Sequence, residues 1–493
     1  MKNPKPFQLF NVHTILHNSK IKSAIMKSKL MQMVMAACLL ITITACQKDF
    51  KSNDSQQEVP SARNNVLNGH VKQTKTHSSE VVKEWLAVQT AMLYRPMGNP
   101  FGLNPGRYMA YSGVALYEAV VPGMPAYQSL YGQLTDMPAM PTTQPGFAYH
   151  WPSSAHAALA TITKKMFGTT AAYNQQAVTD LENHLNDQYR AEAGNEIFER
   201  SIAFGKEVAD RIFEWSKTDN ANWPTTPYQL PTPFPGMWQP EVPGGAIGFP
   251  YWGHNRLMVP GSIDNTISPP PPPYSTDPAS AYYSAYNEVY QVSQNLNNEQ
   301  KLIAKYYNDA NPGYPAGAHY VSILKQVIEQ FNPALDKAAI TFAKTGISLF
   351  DATTSSFKGK FLYLNERPFQ YIRSVIVPGA VPSWQPFIPT PPYPDFPSNH
   401  AVFSSSVAYA LSSLYGSQTP FTNNSYEGVM ADLGSGPVNL GTRHYTSFDA
   451  MSEEIGISRL YGGIHIRYAI EEGFKQGKKV AQNIESKVKF KKD

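Results

Sequence analysis

Two basic residues seven apart stand in the segment Lys360-Phe-Leu-Tyr-Leu-Asn-Glu-Arg367-Pro368. On a continuing helix seven residues make almost two turns, so the spacing predicts both cations on one face. Parallel cations suit a tetrahedral or trigonal oxyanion, and an arginine can grip two of its oxygens. A solvated helix face carries the same pair. A second segment, Pro397-Ser398-Asn399-His400, opens on an apolar run at 401–414. Ser398 is placed as an N-cap, which leaves the amides of Asn399 and His400 free with the helix dipole behind them. That is an anion site with a hydroxyl and an imidazole at its mouth. The third segment is Ser458-Arg459-Leu-Tyr-Gly462-Gly463-Ile-His465. Its glycines allow a sharp turn between one helix and the next, bringing Arg459 and His465 to one point. Taken singly, each histidine also fits a loop residue satisfied by its neighbours.

The elements that must position these groups read as helices. Apolar residues recur with helical period over 78–94, 108–120, 156–167, 171–190 and 196–215. The pattern resumes at 279–308, 318–330, 333–354, 355–373, 398–415, 447–460 and 463–486. Two long stretches interrupt it. Residues 218–278 crowd prolines, five of them consecutive at 269–273, among Trp223, Phe234, Trp238, Phe249, Tyr251 and Trp252. Such a stretch is not regular helix, and its aromatics predict a packed belt rather than a free linker. A second proline-rich loop covers 378–397. No strand series and no internal repeat is evident. The expected architecture is all-α, one helical body with an N-terminal region at 77–278 and a C-terminal catalytic region at 279–490.

Composition narrows the function classes. The 493 residues carry 41 basic and 37 acidic side chains, a net charge of +4. That balance excludes a nucleic-acid binder relying on counterion release. Charged residues make up only 16% and hydrophobic ones 42%, enough for a large core. Prolines number 41, about 8% against a typical value near 5%. The only cysteines, Cys38 and Cys46, precede the folded body. A disulfide scaffold, a zinc or iron–sulfur cluster and a catalytic cysteine are therefore not expected there.

Lysine-x6-arginine-proline, proline-serine-x-histidine and serine-arginine-x5-histidine, in that order, resemble the three-part signature of the vanadium haloperoxidase and type 2 phosphatidic acid phosphatase superfamily. The motifs span 360–465. A weaker likeness extends upstream through Tyr307-Asn308-Asp309, Pro315-Ala316-Gly317, Gly236-Met-Trp238-Gln-Pro240 and Trp252-Gly253. These segments look like the soluble haloperoxidases, and the body has no set of long apolar spans like those of the membrane-embedded phosphatases. The resemblance implies helical bundles of the haloperoxidase and acid phosphatase type. It implies vanadate, in competition with phosphate, as cofactor and no haem. Lys360, Arg367 and Arg459 would neutralise its oxygens, helped by Ser398 and the Asn399 amide. His465 would be the vanadium ligand or, in a phosphatase, the phosphoryl-accepting nucleophile. His400 would be the acid–base group, and Asp309 would brace Arg459. The substrates would be hydrogen peroxide and halide, or alternatively a phosphate ester. A non-enzymatic surface-binding lipoprotein is the reading of another class, and the intact oxyanion set speaks against it.

Two positions depart from the pattern. Asn399 stands where glycine is commonest, keeping the amide but narrowing the approach. Ala469 stands four residues after His465, where many members place an aspartate that orients the imidazole. Glu472 or a backbone carbonyl is the expected substitute. His254, His319 and His444 show no metal-like spacing, though His444 is close enough in sequence to serve as pocket wall.

The N-terminus reads as an export signal. Lys27 and Lys29 precede an apolar run that ends at Ile43-Thr44-Ala45-Cys46. These four residues resemble a bacterial lipobox, making Cys46 the expected lipidation site. Met26 is the expected true start. Residues 47–76 read as a flexible tether. The protein is expected in the cell envelope of a bacterium, membrane-bound only through that lipid. Cys46→Ser should release the protein from the membrane fraction or block its processing. Identical fractionation and gel migration of variant and wild type would contradict lipidation.

Overall fold

The apolar stripes become helices at nearly every expected place, and the exceptions lie where they shape the site. The computed structural model describes residues 72–94, 104–167, 172–221, 227–309, 313–315 and 317–492, all within one compact unit, Pro60–Asp493. Cys38 and Cys46 with the leader, the tether up to residue 71, Trp223 and Ala316 lie outside the described residues. Helices α1 (Glu80–Leu93), α2 (Asn104–Val120), α3 (Trp151–Met166), α4 (Ala172–Ala193) and α5 (Asn195–Ser216) form the first group. After the belt come α6 (Ala281–Gln294), α7 (Asn298–Tyr306), α8 (Ala318–Phe331), α9 (Leu335–Tyr363) and a single turn, α10 (Pro368–Tyr371). Then follow α11 (Asn399–Tyr415), the short strands β1 (Phe421–Asn423), β2 (Met430–Asp432), β3 (Pro437–Asn439) and β4 (Arg443–Tyr445), α12 (Phe448–Tyr461) and α13 (Arg467–Lys487). No described helix is long and apolar enough to cross a membrane.

Helix α9 is the axis of the body. At about 1.5 Å per residue its 29 residues run some 44 Å, packing against α2 on one side and α11 and α13 on the other. Helix α13 lies against α11 at backbone distance. A Cβ on Gly477 would stand 2.0 Å from the Val402 carbonyl oxygen, so only glycine allows this approach. The Ser398 amide donates to the Ala469 carbonyl (2.9 Å) and fixes the first-turn end of α11 beside the start of α13. The proline-rich belt packs as expected over α9. Tyr228 meets Phe361 with ring centroids 5.2 Å apart, Phe249 meets Phe357 at 5.9 Å, and Trp238 and Trp252 are buried. Phe234 is the exception and faces solvent.

Several boundaries differ from the sequence reading. The segment 279–308 is two helices, because Asn297 and Gln300 form a reciprocal cap. Asn297 Oδ1 accepts from the Gln300 amide (2.9 Å), and Gln300 Oε1 accepts from the Asn297 amide (3.0 Å). The expected break at 354–355 is absent. Thr353 and Thr354 donate their hydroxyls to the carbonyls of Leu349 (2.7 Å) and Phe350 (3.2 Å) and stay inside the helix. The helix stops instead at Leu364, which is left-handed with φ 48°. Pro368 explains the stop, since its ring would collide with the carbonyl of residue 364 in a continuing helix. Lys360 and Arg367 therefore share no helical face, contrary to expectation; a turn brings them together. The strands are the other addition, two antiparallel pairs (β1 with β4, β2 with β3) in the connection between α11 and α12.

Candidate active site

Each expected motif delivers its side chains to a different element end, and the ends meet. Arg367 occupies the N-cap position of α10, just beyond the end of α9. Its preceding residues are pinned by the belt: Trp238 donates its amide to the Leu364 carbonyl (2.7 Å), and Glu366 donates to the Gly236 carbonyl (2.9 Å). Ser398 holds the N-cap position of α11, with Asn399 and His400 in the first turn. The ladder starts at the Val402 amide, which donates to the Ser398 carbonyl (3.1 Å), so the amides of Asn399, His400 and Ala401 precede it. Arg459 lies in the last turn of α12. Gly463, with φ 76°, reverses the chain there against Pro386 and Trp384. The Ile464 amide returns to the Arg459 carbonyl (3.2 Å), which places His465 just before α13. The helix was expected to begin at 463 and begins instead at Arg467.

Around His465 the contacts are close. Arg367 Nη1 lies 3.0 Å from His465 Nε2 and donates to the Ile464 carbonyl (2.8 Å), while Nε donates to the Tyr393 carbonyl (2.9 Å). Asp395 Oδ1 lies 2.6 Å from His465 Nδ1 and 3.8 Å from Arg367 Nη1. The first contact is short but bent away from a straight hydrogen bond. Burial, then Arg367, Lys360 and Arg459, hold the His465 imidazole well below the usual range, so it is neutral. Burial pushes the Asp395 carboxyl up to about 7, against the pull of Arg367 and Lys360. The Tyr393 ring supports both cations, 5.3 Å from Lys360 Nζ and 5.2 Å from the Arg367 guanidinium carbon.

Lys360 is fully buried and spends its donors on the loop that leads into α11. Nζ donates to the carbonyls of Pro394 (2.9 Å), Asp395 (3.0 Å) and Pro397 (2.5 Å). Burial and Arg367 push it well below the usual lysine range. Three carbonyl acceptors oppose that shift, because only an ammonium has three N–H groups to donate. Lys360 thus acts on the site as a charge behind the loop.

Asp309 is not the brace of Arg459 that the resemblance implied. Its Oδ2 lies 2.6 Å from His400 Nε2, and its Oδ1 lies 3.5 Å from His319 Nδ1. Arg459 is instead held by its Nη1 donation to the Tyr307 carbonyl, with Asp309 acting on it only through charge. Burial alone would raise the Asp309 carboxyl, but His400 and His319 hold it below the usual carboxylate range. Burial first, then Arg459, push His400 down to about 4 although Asp309 opposes them. At neutral pH the pair is an aspartate accepting from a neutral imidazole through Nε2–H. Nδ1 is left as the atom free to take a proton.

The remaining feature is a set of buried donors with no well-formed hydrogen bond among the described residues: Arg367 Nη2, Ser398 Oγ, Arg459 Nε and Asn399 Nδ2, the last beside the Tyr393 hydroxyl. Buried polar groups are nearly always paired, so unpaired donors on three converging motifs mark a place for an acceptor. Asn399 adds to the set rather than obstructing it, since Ser356 Oγ donates to its Oδ1 (2.6 Å) and leaves Nδ2 over. Two guanidinium donors, a hydroxyl, an amide and a neutral imidazole suit a compact oxyanion such as vanadate or phosphate. The sequence reading missed Asp395, Tyr393 and His319. Asp395 and Tyr393 lie in a proline-rich loop with no periodicity to reveal their direction. Glu472 does not serve His465; Lys475 Nζ donates to it (2.6 Å). His444 is exposed on β4, 3.1 Å from Thr422 Oγ1, and is not a wall of the site.

Comparisons with known proteins agree with the helical fold. The family model of the VCPO second helical-bundle domain matches residues 340–491. The crystal structure of a bacterial vanadium-dependent iodoperoxidase is 29% identical, with TM-score 0.72, over 85% of this chain and 98% of that one. An apo-type bacterial vanadium-dependent chloroperoxidase shares the fold at 15% identity and TM-score 0.57, over 78% of this chain and 94% of that one. No curated protein matches the sequence.

The Asp309–His400 pair gives a direct test. Asp309 raises the His400 pKa, so removing its charge should lower that pKa further. In an NMR titration, His400 should take its proton near pH 4 in the wild type and at lower pH in Asp309→Asn. A midpoint that stays put or rises would contradict the pairing.

Proposed function

Since the chain belongs to the vanadium haloperoxidase and type 2 phosphatidic acid phosphatase superfamily, we propose that it is a vanadate-dependent haloperoxidase. Its reaction converts halide, hydrogen peroxide and a proton into hypohalous acid and water. The observation that carries the proposal is the set of unpaired buried donors around His465. Those residues fit vanadate: Arg367, Ser398, Asn399 and Arg459 would hold its oxygens, Lys360 would add charge, and His465 Nε2 would be the vanadium ligand. Bound vanadate supplies Lewis-acid activation of peroxide without changing its own oxidation state.

The chain's own groups do the rest. The cations withdraw electron density from the oxygens they hold and stabilise negative charge in a site kept from water. Arg367 Nη1 on Nε2 keeps the His465 proton on Nδ1, and its shift onto an anion oxygen would free the Nε2 lone pair. Neutral His400, oriented by Asp309, accepts the proton that peroxide loses on entry and returns it to the leaving water. A second reading, phosphate-ester hydrolysis, is favoured by the carboxylate beside His465, which would equally support that imidazole as a nucleophile. Through Cys46 we also propose an exported lipoprotein, anchored to the envelope by lipid alone.

Reconstituting the protein with vanadate and assaying iodide and bromide oxidation, beside phosphate-ester hydrolysis without vanadate, separates the two readings. Halide oxidation that requires vanadate is expected. His400→Ala should keep most vanadate binding yet lose about 10²–10⁴ in rate, the usual contribution of an acid–base group. His465→Ala should lose tight vanadate binding. The opposite pattern would exchange the two roles, and phosphate-ester hydrolysis without halide oxidation would establish the second reading.

A further inference from the structure

We infer that Asp395 is the positioning residue of His465, holding its Nδ1 proton so that Nε2 faces the oxyanion as a lone pair. The inference deepens the proposed function and rests on its placement of His465.

Both ends of the imidazole are specified by what touches them. Arg367 has only N–H groups to offer, and its Nη1 lies 3.0 Å from Nε2. Nε2 must therefore accept, and the ring proton must be on Nδ1. Asp395 Oδ1 stands 2.6 Å from that nitrogen, with the aspartate side chain fully buried and the histidine side chain 2% exposed. Among the described residues no other acidic side chain pairs with it. Ala469 offers only a methyl group, and Glu472 is engaged by Lys475.

Apart from His465, the Ile466 amide is the carboxylate's other polar partner; neither oxygen makes a straight hydrogen bond with a described group, and Arg367 Nη1 is 3.8 Å away. A buried carboxylate is costly when it is unpaired, and loop packing alone would be served as well by an apolar side chain. What the loop does supply is rigidity. The Asp395 amide donates to the Asn365 carbonyl (2.9 Å), and the Asp395 carbonyl accepts from Lys360 (3.0 Å). Pro394 and Pro397 flank the segment. One residue thus joins the end of α9, the loop before α11 and the imidazole before α13. Removing such a partner behind a ligating histidine typically costs about 10- to 100-fold in affinity.

The test compares two anions on full-length protein. Vanadate would bond to Nε2 and depends on its donor strength, whereas phosphate held by the cations does not. Asp395→Asn keeps the shape and removes the charge. Its vanadate affinity, read by calorimetry, should fall about 10- to 100-fold, while its phosphate affinity stays level or rises because a negative charge has gone. Equal losses for both anions would make Asp395 a structural residue, and no change in either would remove it from the site. A measurement on the wild type covers the case of a variant that does not fold. Imidazole nitrogen NMR should show the Nδ1–H tautomer of His465, and an Nε2–H tautomer would overturn the inference. If wild-type protein binds phosphate but prefers it to vanadate, the haloperoxidase reading fails, while the tautomer still decides the role of Asp395.

Discussion

Three cations, Lys360, Arg367 and Arg459, are held almost completely out of water within one another's fields. Like charges in a low-dielectric interior repel strongly and each carries a desolvation cost. Every other feature of the site answers to that constraint. Lys360 is matched by three carbonyls of one loop, Arg367 by two carbonyls and the Tyr393 ring, and Arg459 by the Tyr307 carbonyl. Two buried carboxylates, Asp309 and Asp395, offset part of the charge, and each also touches a histidine. The donors left over are those that an incoming oxyanion would complete.

The scaffold explains how such a site stays in place. Four element ends converge: the end of α9 with α10, the start of α11, the end of α12 and the start of α13. Each end is fixed by backbone contacts rather than by side-chain packing alone. The belt pairs with 364–366, Gly477 brings α13 onto α11, and the Gly462–Gly463 turn returns Ile464 to Arg459. A positively charged pocket built this way keeps its backbone in place when an anion enters, with only Arg367 Nη1 moving off His465 Nε2, and a preset frame is what electrostatic stabilisation requires.

Much of this was legible in the sequence because the signals were local. Helical period located the helices around the core, and motif order placed His400, His465, Ser398 and the arginines on meeting element ends. What escaped was set by tertiary contact. Period carried the helix past Tyr363, although Pro368 was the available signal that it had to stop. Threonine hydroxyls bonding back along α9 hid the continuity at 353–354, and the cap at Asn297 hid a break. Asp395 lies among prolines, where no periodicity tells which way a side chain turns, whereas the sequence around His465 points only to partners along α13. Asp309 was assigned to Arg459 by motif, whereas its left-handed backbone, φ 53°, directs the carboxylate to His400 and His319.

The central claim is that the unpaired donors and His465 Nε2 together form one oxyanion site. A crystal structure of the protein soaked with orthovanadate, with vanadium located by its anomalous scattering, tests it most directly. One vanadium bonded to His465 Nε2 is expected, with its oxygens on Arg367, Ser398, Asn399 and Arg459. Vanadium bound elsewhere, or none bound at saturating vanadate, would contradict it.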